Sequence, residues 1–218
     1  MRKWFYLSLT ILLLLTGCSD DQQKKKDEPV ATEKESVDSD KVIEIEGKTF
    51  TKNEMEFYAL MQKIFIERNR SEDVKNSNEI EKTNNYWDSQ AAQYDNVNVQ
   101  LQSLIEVHAM ALLAKEKNYF VPPEETEEAV EDIHEQISTN PDIKKLVSDF
   151  GENQFDIEIF PYMQEYLLKQ RVMAEVEKDV RSTHDGASEQ EISYESNAMY
   201  DDLYEDQVSG MELKFYIK

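Results

Sequence analysis

Thr51-Lys52-Asn53-Glu54 places a threonine three residues ahead of a glutamate, the capping box in which each side chain satisfies the other's free backbone N–H. The residues after it have to form a helix. Phe57, Tyr58, Leu60, Met61, Ile64 and Phe65 recur at the helical period, giving a broad apolar stripe through about Glu67. Further helical patterns run from about Tyr86 to Asn118 along Val97, Leu101, Leu104, Ile105, His108, Ala111 and Leu112, and from Pro123 along Val130, Ile133 and Ile137. Pro123 suits the first turn of its helix, where a missing donor costs nothing, and Asn140-Pro141 ends that helix. A short helix over 142–150 is expected to be capped by Gly151 in the left-handed region. A long one is expected over 153–180 through Phe155, Ile159, Tyr162, Met163, Tyr166, Leu167, Met173 and Val176, with Pro161 either kinking or splitting it. Arg70 to Asn85 and Arg181 to Ser193 read as polar loops, and Asn197 to Val208 as a modest helix. Only the ends read as strand. Val42-Ile-Glu-Ile-Glu46 alternates ahead of a Gly47 turn, and Met211 to Ile217 alternates again. The expected fold is therefore mainly α, with a small two-stranded β-sheet formed by the N- and C-terminal segments of residues 42–218.

The amino terminus is of another kind. Arg2 and Lys3 precede an apolar run from Trp4 to Leu15, too short to remain as a spanning helix, which needs about 20 apolar residues. A basic start, a short apolar run and small residues before a cut are the parts of a secretory signal peptide, here residues 1–17. The ending Leu15-Thr16-Gly17-Cys18 resembles the lipobox of bacterial lipoproteins, which implies cleavage before Cys18, acylation of its sulfur by palmitate-type chains, and a place on the extracytoplasmic face of the cell membrane. Each buried methylene contributes ~0.8 kcal/mol, so two or three acyl chains hold a domain at a bilayer almost irreversibly. Residues 18–41 have no apolar period and read as a lipid-anchored linker, with a span of roughly 25–30 Å as a flexible chain.

Cys18 is the only cysteine, so the folded part has neither a disulfide nor a thiol nucleophile. Removing residues 1–17 takes away Arg2 and Lys3 and no acid, leaving 22 basic against 46 acidic side chains. Such a surface argues against a nucleic-acid partner and against spontaneous docking on anionic lipid. Glu131 and His134 have the Glu-x-x-His spacing of carboxylate di-iron bundles, which need a second copy. The residues three before His108 and His184 are Ile105 and Arg181, so none is present. There is no Gly-x-Ser-x-Gly, phosphate loop or zinc spacing. No metal, cofactor, small-molecule substrate or catalytic residue is expected.

The segments Ile43-Glu-Ile-Glu-Gly-Lys-Thr-Phe-Thr-Lys-Asn-Glu-Met-Glu-Phe-Tyr58, Leu101 to Tyr119 and Val121-Pro-Pro-Glu-Glu-Thr-Glu-Glu-Ala-Val130 together resemble the N-terminal helical domain of SurA and PrsA foldases. A closing helix and strand like Tyr200 to Lys218 also occurs there. The resemblance implies a chaperone module that holds unfolded secreted polypeptides, often beside a parvulin prolyl isomerase. A parvulin domain needs on the order of a hundred residues, and none fits between Arg181 and about Glu195. A non-enzymatic holding domain is expected, with peptide gripped by Phe57, Tyr58, Met61, Phe65, Tyr162, Met163 and Tyr166, because thioethers and aromatics adapt to many partners. The same apolar residues read equally as core. A structural or interaction lipoprotein serving one envelope partner is the alternative expectation, and a prolyl isomerase the third.

Overall fold

The computed structural model describes residues 40–217; residues 1–17, Cys18 and the linker up to residue 39 lie outside the described residues. Strand β1 (Lys41–Ile45) turns through Glu46 and Gly47 into β2 (Lys48–Thr51). Both turn residues have positive φ, 48° and 81°, the backbone a two-residue hairpin requires to match the strand twist. Strand β3 (Leu213–Phe215) pairs with the other edge of β1, antiparallel, with Glu44 opposite Lys214. The sheet order is β2-β1-β3. The expected pairing of the two chain segments is therefore present, but the sheet has three strands rather than two, because Lys48–Thr51 folds back on β1 instead of leading straight into the helix.

The capping box forms as its spacing dictates. Glu54 N–H donates to Thr51 Oγ1 at 3.3 Å and Thr51 N–H to Glu54 Oε2 at 2.8 Å, opening helix α1 (Lys52–Asn76). This helix runs well past Glu67, and with α2 (Ile80–Gln93) it takes up most of the stretch from Arg70 to Asn85 expected as a loop. Asp95 and Asn96 then turn the chain into α3 (Val97–Glu116), so the segment expected as one helix from Tyr86 is two. Helix α4 (Pro123–Thr139) meets α5 (Pro141–Phe150) at Asn140, whose Oδ1 accepts from the N–H groups of Asp142 and Ile143. Gly151, at φ 111°, both ends α5 and opens α6 (Glu152–Thr183). At 32 residues α6 is about 48 Å long, and Pro161 neither ends nor splits it. Buried Phe155 and Ile159 before the proline and Tyr162 and Met163 after it hold both halves to the same core. Helix α7 (Glu189–Gly210) begins eight residues earlier than expected, on a second capping box between Ser188 and Glu191.

The core lies in two clusters joined by α3 and α6. The larger packs β1, Phe50 of β2, α1, the first half of α3, and the faces of α4, α5 and α6 around Phe57, whose ring lies 5.6 Å from each of Phe150, Phe155 and Tyr162. The smaller sets Met110, Ala111 and Ala114 of α3 against Leu168, Val172 and Val176 of α6 and Tyr200 of α7. Helix α3 is long and apolar enough to cross a bilayer, but over half of it is buried within this fold. Phe57 is the hub of the aromatic contacts, and truncating it leaves a cavity that its ring neighbours on α5 and α6 cannot jointly fill. Phe57→Ala is expected to lower the unfolding free energy by about 3–5 kcal/mol, measured by urea denaturation; a loss under about 1 kcal/mol would show that the cluster collapses freely.

Candidate functional site

Four elements meet at one buried carboxylate. Glu165 lies on the apolar line of α6 between Tyr162 and Leu168 and is 8% exposed. Its Oε1 accepts from His108 Nδ1 of α3 and from Lys48 Nζ of β2, each at 3.0 Å, and its Oε2 accepts from the Tyr58 hydroxyl of α1 at 2.7 Å. Burial alone would raise this carboxyl. The His108 hydrogen bond, the His108 and Lys48 charges and the Tyr58 hydroxyl outweigh it and hold the group down to about 2. An ionised carboxylate can only accept, which fixes the proton of His108 on Nδ1. Burial, then Glu165, pushes the Tyr58 phenol well above its ordinary value, keeping it a donor. The Phe50 ring covers the imidazole, its centroid 4.8 Å away, and Lys48 Nζ sits 4.4 Å over that same ring. His108 is only 4% exposed, so this carboxylate–imidazole pair is buried. Its chemistry is that of a brace joining β2, α1, α3 and α6.

A second brace joins α3, α6 and α7. Glu106 pairs with Lys169 Nζ, and its Oε1 accepts from the Tyr200 hydroxyl at 3.2 Å. The other histidines stand apart. His134 is exposed on α4, 3.9 Å from Asp156, and His184 caps the end of α6, its Nδ1 3.1 Å from the Val180 carbonyl. Among the described residues no group of three or more His, Cys, Asp or Glu side chains is arranged to hold a metal.

The residues expected to grip peptide are brought together, but as core. Phe57, Tyr58, Met61, Phe65, Tyr162 and Met163 are buried, and Tyr166 is half-buried, stacked on Phe65 at 4.8 Å and on Tyr162 at 6.0 Å. The stripes of α1 and α6 face each other and consume that surface, so these seven side chains line no open cleft in this conformation. The open surfaces lie elsewhere. The distal half of α1 and the whole of α2 form a two-helix arm in which no residue of α2 is buried. It is held by cross-ties instead of a core: Lys63 to Asp95, Arg70 to Asp88, and the Trp87 indole N–H to Asp73. Ile80, Tyr86 and, at its exit, Val97 stand exposed on it. Between the arm and the α4–α5 corner is a cleft of about 480 Å³ lined by Arg68, Ser71, Glu72 and Lys75 on one wall and Gln136, Thr139 and Asn140 on the other. The Asn140 amide closes its floor by donating to Ser71 Oγ at 3.0 Å. Farther away, Ile157 and Phe160 of α6 and Tyr194 and Met199 of α7 are exposed.

The carboxyl of Glu165 is depressed from 4.5 to about 2, so its contribution is fully present above pH 4.5 and is lost as pH falls from there toward 2. Glu165→Gln is expected to cost about 3 kcal/mol at neutral pH, a gap that closes across that window. Urea denaturation of both proteins at stepped pH measures it; a gap independent of pH would mean that the brace does not act through its charge. Comparison of the chain with protein-family models, with characterised proteins and with solved structures finds no match.

Proposed function

We propose that the chain is a membrane-tethered extracytoplasmic folding factor, a SurA/PrsA-like holding domain without a parvulin domain, that engages unfolded secreted polypeptides and catalyses nothing. The observation that carries this reading is the arm: two helices extended from the bundle on charged cross-ties, with no core beneath α2 and apolar side chains turned to solvent. A helix pair of this kind opens locally at little cost and can adapt to partners of different shape. Two further features support it. The family resemblance implies an opening strand and a closing helix and strand, and here β1 pairs with β3, which follows α7. Only His184 to Ala187 and the cap Ser188 separate α6 from α7, which leaves no room for an inserted isomerase.

In this reading the clients contact exposed residues of the arm, and the seven aromatic and methionine side chains, six buried and Tyr166 half-buried, are the frame behind it. The chain from Lys41 onward is expected to suppress light scattering by a reduced, aggregating model protein near stoichiometric ratio. Replacing Ile80 and Tyr86 by Ser should weaken suppression while leaving stability within about 1 kcal/mol, because both side chains are more than half exposed and the Tyr86 ring meets Trp87 only edge-on, at 5.0 Å. Absence of suppression by the unaltered chain would sink the reading and turn the search toward one dedicated envelope partner. The tether has its own test. Cys18→Ser should abolish incorporation of labelled palmitate and release the protein from the membrane fraction; continued labelling would exclude Cys18 as the anchor.

A further inference from the structure

Helix α6 turns an apolar stripe to solvent at the turn its proline disturbs. Ile157 is 66% exposed, Phe160 38%, and Pro161 beside them is exposed too. Three and four residues apart, they share one face of the helix. Proline has no N–H, so the Ile157 carbonyl receives no hydrogen bond from position 161.

On the α4 side the exposed charges near the stripe are mostly acidic. Helix α4 packs on α6, with His134 Nε2 3.9 Å from Asp156, the residue before Ile157, and Glu125 bound to Arg171; Glu127 and Glu131 stand seven and three residues before His134, on its face of α4. Helix α4 holds seven acidic residues and no lysine or arginine. Glu125 is taken by Arg171. Glu127, Glu128 and Glu131 are exposed, and none of them has an ion-pair partner within 4 Å among the contacts of the described residues.

We propose that the Ile157–Phe160–Pro161 face of α6, with the acidic flank of α4, docks a cationic amphipathic stretch of unfolded polypeptide. This rests on the holding-domain reading in taking a polypeptide as ligand, and narrows it to a class of client. The apolar side chains of such a segment cover Phe160 and Ile157. Its Lys or Arg side chains reach Glu127, Glu128 and Glu131. A second copy of this chain does not suit the face, because two acidic surfaces of a chain with formal charge −22 would be brought together. An anionic bilayer is disfavoured for the same reason.

The test uses the full-length chain in zwitterionic nanodiscs, with empty nanodiscs as the blank, and fluorescence anisotropy of two labelled peptides. One alternates Lys with Leu; the other alternates Glu with Leu. The Lys peptide is expected to bind at least about tenfold more tightly, with affinity that falls as salt rises. Either the pair Ile157→Ser and Phe160→Ser or the set Glu127→Gln, Glu128→Gln and Glu131→Gln should weaken it about tenfold, while Tyr194→Ser on α7 leaves it unchanged. Equal binding of the two peptides, or Lys-peptide binding unmoved by both sets of substitutions, overturns the inference. The peptide comparison needs no variant to fold. If aggregation suppression persists while the peptides are not distinguished, this inference fails and the holding-domain reading stands; if the peptides are distinguished without suppression, the docking face stands and the holding-domain reading fails.

Discussion

A carboxylate taken out of water costs several kcal/mol unless donors replace its hydration, and this fold puts one at the meeting point of four elements. Glu165 can stay ionised at 8% exposure only if Lys48, Tyr58 and His108 arrive together. Each comes from a different element, so the position of the hairpin on the bundle, the tilt of α1 and the register of α3 against α6 are all constrained by one acceptor. Apolar packing tolerates sliding; three directed hydrogen bonds do not. The Glu106 group repeats the device within about one helical turn on both α3 and α6, where Lys169 and Tyr200 tie α7 to the same helix pair. The two long helices are thus pinned twice along their shared length, and the apolar clusters fill the space the pins define.

Local signals make much of this legible. Capping residues at Thr51, Pro123, Asn140 and Gly151 mark helix boundaries because they act through backbone hydrogen bonds and allowed φ values, which depend on a few neighbours. The alternation of Val42 to Glu46 and of Met211 to Ile217 identifies the paired strands for the same reason. The arm is not legible in this way. Residues 70–93 have no apolar period, since their helices are held by ion pairs and an indole hydrogen bond to one neighbouring helix, and such a helix looks like a polar loop. Glu165 is hard to single out among so many acids, although its phase on α6 carries a signal: it falls on the buried line, as His108 does on α3. Two polar residues of complementary charge on buried faces are a pair in search of each other.

Periodicity also says that a face is covered without saying by what. Phe57, Tyr58, Met61, Phe65, Tyr162, Met163 and Tyr166 suggest a cleft because flexible apolar side chains suit adaptable binding, yet the stripes of α1 and α6 that carry them face each other. Exposed Ile157 and Phe160 give the opposite difficulty. They stand in an ordinary amphipathic pattern, and only the packing of α4 against α6 reveals that the core ends before reaching them.

The sheet order has a consequence for the sequence of events in folding. Strand β1 is central, but its two neighbours differ greatly in when they become available. Residues 48–51 come at once through a two-residue turn, whereas Glu44 and Lys214 are separated by 170 residues. A chain that emerges amino end first therefore presents a hairpin with one unpaired edge until residue 213 has been made, and an open edge is a template for pairing with other strands. The long loop adds only slowly to the entropy of closure, so the delay is set by supply of the partner more than by its distance. Strand β3 then acts as a latch, and its closure marks the arrival of everything between.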